Sequence, residues 1–221
     1  MKGIFKALFP AAAALFCWVT SGCAPCWPSR ISASPAYRPS NFYRASQKLA
    51  PQIRRVAILP ISVEGGDWQA EAGRLELEPV LYAELGKARA FEWVVVPPAQ
   101  LREWTSKGWW SAEETLPADF FEHLQDSFGC DAVLFSHLRP YHAYKPLVIG
   151  WNLKLVAAQA KSVLWCADEV FDASAPSVAK AAENYCRRKG GPGLDAGDVL
   201  LSPRRFSQYA LNALLTTLPE R

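Results

Sequence analysis

Between residues 149 and 155, Ile149, Trp151, Leu153 and Leu155 alternate with Gly150, Asn152 and Lys154. A period of two suits an extended strand with one face on a core, because a helix would scatter the same side chains around its axis. After residues 158–162, the apolar stretch 163–171 predicts a second strand folding back on the first as an antiparallel hairpin.

The chain upstream has a different rhythm. Residues 54–63 carry the continuous run Val56-Ala57-Ile58-Leu59 up to Pro60, the pattern of a strand covered on both faces. Gly65-Gly66-Asp67 breaks the chain, and a helix seeded near Glu78-Pro79 places Val80, Leu81 and Leu85 on one side, weakening at Gly86. Residues 91–96 read as a strand closed by Pro97-Pro98, and a short helix is expected around 101–104. Residues 115–128 read as a helix opened by Pro117 and ended by Gly129, with Phe120, Phe121, Leu124 and Phe128 at helical spacing. A third strand follows over 131–138. Beyond the hairpin, Pro176-Ser177 starts a helix to about Arg188, and residues 190–198 form a glycine-rich loop. Ser202-Pro203 opens a last helix with Phe206, Tyr209, Ala210, Ala213 and Leu214 on one stripe. Strand and helix alternating, then an antiparallel pair, predict one α/β sandwich with a mixed sheet of about five strands and helices packed on it.

The N-terminus is read separately. Lys2 and Lys6 precede an uncharged run over 7–19, too short to span a membrane and interrupted by Pro10, so residues 1–22 are expected to be a signal peptide outside the fold. The sequence Thr20-Ser21-Gly22-Cys23 resembles the lipobox of bacterial lipoproteins, with Thr20 where leucine is usual. The resemblance implies that Cys23 becomes the N-terminus and carries acyl chains such as palmitate. Ala24 in place of an aspartate implies the outer membrane, with the protein facing the periplasm. Residues 23–53, scattered with proline, read as a lipidated cysteine and flexible tether, and residues 54–221 as the folded domain.

Half of the 221 residues are hydrophobic and a fifth are charged, which fits a globular chain and excludes a disordered or collagenous one. A net charge of +3 and a pI of about 8.5 argue against nucleic acid as a partner. Once Cys17 leaves with the signal and Cys23 takes lipid, Cys26, Cys130, Cys166 and Cys186 remain, with three full pairings open. Cys130 and Cys166 fall on predicted strands, where a small buried hydrophobe is expected. Cys23-Ala24-Pro25-Cys26 has C-x-x-C spacing but ends a signal instead of starting a helix after a strand, so redox chemistry is not expected.

Arg55-Val56-Ala57-Ile58-Leu59-Pro60, the stretch 85–96, Gly129-Cys130-Asp131-Ala132-Val133-Leu134 and Val163-Leu164-Trp165 are similar to a group of envelope proteins. The group includes the curli-secretion lipoprotein CsgG, the penicillin-binding-protein activator LpoB and the N-terminal domain of TolB. The resemblance covers about residues 54–173 and implies the fold and compartment. It also implies a non-enzymatic role, since the group shares no catalytic residues. The turn over 158–162 lacks the usual Asp and Gly, and no insertion long enough for a CsgG-type membrane hairpin is present.

Candidate chemistry is sparse. His123, His137 and His142 are irregularly spaced for a metal, Ser136 beside His137 points to the opposite strand face, and the glycines over 190–198 match no phosphate loop. No cofactor or metal is expected. Trp104, Trp109 and Trp110 cluster in one connection, and Arg204 and Arg205 lie in the first turn of the last helix, where the dipole favours acids; these five are the candidate partner contacts. The expected function is binding of another envelope protein to support its assembly, export or activation, with a second copy of the chain a further partner by analogy with CsgG. The alternative is a periplasmic binder of, or enzyme on, a small molecule or cell-wall fragment, built around residues 137–145 with Tyr141 and Tyr144.

Overall fold

The computed structural model describes residues 37–64, 67–189 and 196–221. The expected signal, Cys23, Cys26 and most of the glycine-rich loop lie outside them. Seven strands form one mixed sheet: β1 (Phe42–Arg44), β2 (Arg55–Ile58), β3 (Ser62–Val63), β4 (Glu92–Val95), β5 (Ala132–His142), β6 (Val148–Ala157) and β7 (Val163–Asp172). The helices are α1 (Trp68–Ala88), α2 (Pro98–Thr105), α3 (Phe120–Phe128), α4 (Pro176–Lys189) and α5 (Pro203–Leu215), with a 3-10 turn at Ala196–Leu200. Strand order is β1-β7-β6-β5-β2-β4, with β3 also beside β5. The β5–β6–β7 meander and β1 are antiparallel, whereas β2 runs parallel to β4 and β5.

Two buried layers explain the two sequence rhythms. Val56 and Ile58 enter the layer under α1, α4 and α5, together with Trp151, Trp165, Phe171 and Phe206. Ala57 and Leu59 enter the layer under α2 and α3, with Val133, Phe135, Phe120 and Leu124. A strand wedged between two layers must be apolar at every position; β6, whose second face is only half-covered at Asn152 and Lys154, can alternate.

Several expectations are corrected. The first predicted strand is two pieces, because Leu59 still donates to the Leu134 carbonyl but Pro60 has no N–H, and pairing resumes only at Ser62. The first helix starts at Trp68, ten residues before Glu78, under an Asp67 side chain that accepts from the Gln69 and Ala70 amides. Pro79 lies inside it. Pro79 and Leu75, whose carbonyl loses its helical partner, are both exposed, so the missing bond falls on the solvent side of the helix. The third helix begins at Phe120 because the Phe120 amide closes a turn onto Pro117.

The second half of the segment read as a tether is folded: β1 pairs with β7, Leu49 and Ile53 are buried, and Lys48 bridges to Glu220. β1 and β3 bring the sheet to seven strands. In the hairpin turn the left-handed position is filled by Lys161, φ 51°, which accounts for the missing glycine. Cys130, in the turn before β5, and Cys166 and Cys186 are free thiols.

Candidate functional site

β3 sets Ser62 beside His137 in register, and the Ser62 Oγ lies 2.9 Å from His137 Nδ1 and 3.1 Å from the Ser136 carbonyl. Burial holds the His137 pKa below its ordinary value, and Arg139 adds to this against the opposing pull of Glu113, Glu64 and Asp168. The ring is neutral near pH 7. Ser62 is fully buried, so its hydroxyl serves the strand pairing and is closed to a substrate. The rest of the region 137–145 diverges. Tyr141 packs its ring on Gly73 with its phenol pushed up to about 12 by burial, His142 is exposed and Tyr144 is 72% exposed. None of these lines the three cavities described for the molecule. Among the described residues no group of three His, Cys, Asp or Glu side chains is placed to hold a metal.

The tryptophans and arginines are divided between opposite faces of the sheet. Trp110 is buried under α3, donates from Nε1 to Thr105 Oγ1 at 2.8 Å and receives the Lys107 ammonium on its ring. Trp104 is half-buried, stacked on His123 and edge-on to Phe128, and Trp109 is half-buried. Arg204, on α5, is exposed, while Arg205 reaches Asp198 at 3.4 Å.

Two surface features lay beyond sequence reasoning. The first is the outer side of α1. Its inner side buries Ala70, Leu77, Leu81 and Leu85, yet the outer side is apolar too, carrying Trp68 at 70% exposure, Ala72, Leu75 at 65%, Pro79, Ala83 and Gly86. These recur at steps of three or four residues, one continuous stripe along the helix. Tyr82 continues the stripe to the sheet edge by stacking on Trp93 of β4, ring centroids 5.8 Å apart. The doubled apolar pattern was present in the sequence and is the signal that could have found this face.

The second is a groove of about 710 Å³ between β1, α4 and α5. Strand alternation turns Phe42 and Arg44 into it, Arg187 and Arg188 come from the last turn of α4, and Arg38 comes from the segment before β1. No acidic side chain among the described residues lines it. The nearby carboxylate, Glu169, is engaged behind the wall, accepting from the Tyr37 phenol at 2.6 Å and from the Ser40 and Asn41 amides at 3.0 and 3.2 Å. Tyr209, at the groove floor, is 4% exposed and its hydroxyl has no hydrogen-bond partner. The arginine pairs gather from positions some 140 residues apart, so no local motif announces them.

No family model matches the chain, and no curated protein matches it. Among solved structures it is similar to the PelC dodecamer from Paraburkholderia phytofirmans, at 14% identity over 84% of this chain and 97% of that one, TM-score 0.42. It is also similar to lipoprotein GNA1162 from Neisseria meningitidis, at 19% identity over 62% of this chain and 99% of that one, TM-score 0.38. A third is the LpoB C-terminal domain from Escherichia coli, at 13% identity over 53% of this chain and 82% of that one, TM-score 0.35, a member of the group named from the sequence motifs.

Proposed function

We propose that the chain is a non-enzymatic lipoprotein, anchored through Cys23 at the outer membrane and facing the periplasm, whose body docks another envelope protein and supports its assembly, export or activation. The observation that carries this reading is the outer side of α1. A helix apolar on both sides is normally enclosed, and here one side has nothing over it among the described residues. Trp68, Leu75 and the Tyr82–Trp93 pair supply the large apolar and aromatic groups that dominate protein interfaces, with Ala72, Ala83 and Gly86 between them allowing close approach. The order Lys2, Lys6, apolar run and Cys23 supports the anchor. Residues 24–36 are then the linker and residues 37–221 the body. Trp109 and Arg204 remain proposed contacts on other surfaces.

Photo-crosslinking in the cell tests the docking face. A photoreactive residue placed at Leu75 is expected to give one dominant adduct with a different envelope protein, identified by mass spectrometry, and the same residue at exposed Lys145 is expected to give none. Absence of an adduct at Leu75, or adducts only with further copies of the chain, overturns the reading. The anchor is tested apart from this by the mass of the mature N-terminus, which should carry acyl chains that Cys23→Ser removes.

A further inference from the structure

We propose that the groove between β1, α4 and α5 binds the phosphate groups of anionic lipid headgroups, seating this edge of the sheet on the membrane surface. Arg38, Arg44, Arg187 and Arg188 line a single concavity with no acid among its described lining residues, and like charges gathered this way raise a positive field that favours an anion. Guanidinium forks match phosphate oxygens in geometry and charge. The ring beside the arginines suits an interface in which aromatic groups lie at headgroup depth: Phe42, in the groove wall, is 38% exposed.

The source of the phosphate is argued from where the chain enters. Tyr37, the first described residue, is itself a wall of the groove, and the Glu169 carboxylate pins the segment behind it. On the reading that Cys23 is acylated, on which this inference rests, only residues 24–36 separate the groove from the bilayer. The covalent limit of such a segment is about 50 Å. The point where the chain enters the body, at the β1 edge, is therefore within covalent reach of the headgroups, where each arginine close to an anionic surface contributes substantially.

The test is flotation of the full chain with vesicles of phosphatidylcholine alone or mixed with phosphatidylglycerol. Every sample carries Cys23→Ser, so that acylation and its failure do not enter. Residues 1–22 are common to all samples. Arg44→Ala with Arg188→Ala is expected to lower the preference for anionic over neutral vesicles about thirtyfold, from two arginines near the surface. Arg54→Ala with Lys145→Ala, which removes the same charge outside the groove, is expected to leave it within about threefold. Equal losses in the two pairs, or no loss in the first, overturn the proposal. Calorimetric binding of free glycerol phosphate without an anionic-vesicle preference overturns the lipid source and gives the groove to soluble phosphate esters.

Discussion

Gly150→Ala tests the packing of the central meander. A Cβ built on Gly150 would sit 2.1 Å from the Arg139 carbonyl oxygen, 2.6 Å from its carbon and 2.7 Å from Pro140 Cδ. Carbon–oxygen contacts need about 3.2 Å or more, so the atoms must part by about 1 Å. The obstacle is backbone. Arg139 and Pro140 occupy the irregular step between Leu138 and Tyr141 where β5 and β6 lose register, so relief requires these two strands to separate. That places the cost near the top of the ordinary overpacking range, about 3 kcal/mol. For a body of this size the melting temperature should fall by about 6–12 °C. Gly86→Ala is the contrast, because nothing lies within 4 Å of its Cβ and the site is helical. That variant should gain about 0.5 kcal/mol from helix propensity. Thermal melts followed by circular dichroism read both. A Gly150→Ala protein melting within about 2 °C of the parent would refute the claim that the β5 irregularity lies against Gly150.

Other expectations can be measured on the same protein. The unfolded chain protonates His137 near pH 6.5, whereas the folded chain, with the pKa lowered by burial, does so only at lower pH, so stability is full above that value and declines as the pH falls. Melts compared across this range should show the decline, His137→Asn should flatten it, and equal slopes in both proteins would contradict the buried neutral ring. Burial pushes the Cys130 thiol up to about 11, so iodoacetamide should modify half-buried Cys166 and Cys186 first; Cys130 reacting as fast, by peptide mapping, would exclude this burial. Asp131 Oδ2 accepts from the Arg54 and Arg55 amides at 2.8 and 2.9 Å, clamping the start of β2 to β5. Asp131→Ala should cost about 1–2 kcal/mol in urea unfolding, and a loss too small to resolve would show that water replaces both bonds.

The legible parts of the fold are those whose environment imposes a single period. β6 alternates because one face is enclosed and the other is not, β2 is apolar throughout because two layers enclose it, and α5 announces itself by Ser202, whose side chain accepts from the Arg205 amide. β1 and β3, three and two residues long, are too short to display any period. Residues 37–53 look like a tether because their prolines hide that Leu49, Ile53 and the Tyr37–Glu169 bond tie them to the body. The N-terminal half of α1 escaped for a different reason. Apolar residues on both its sides erase the stripe that marks a helix, so the feature that obscured the element is the one proposed for docking.

The candidate site was less legible than the fold because it depends on topology. Trp110, conspicuous in the sequence, is consumed by the layer under α3, whereas the groove arginines become neighbours only through the pairing of β1 with β7 and the return of α4. The strand order then assigns the two proposed surfaces to opposite edges of the sheet. β1 closes one end of the order and borders the groove and chain entry; β4 closes the other, where Trp93 joins the outer side of α1 through Tyr82. A body seated on headgroups by its β1 edge would turn its β4 edge away from them. On the proposed reading, membrane contact and partner docking therefore do not compete, and Arg44→Ala with Arg188→Ala should leave the crosslink at Leu75 intact in a chain still held by Cys23.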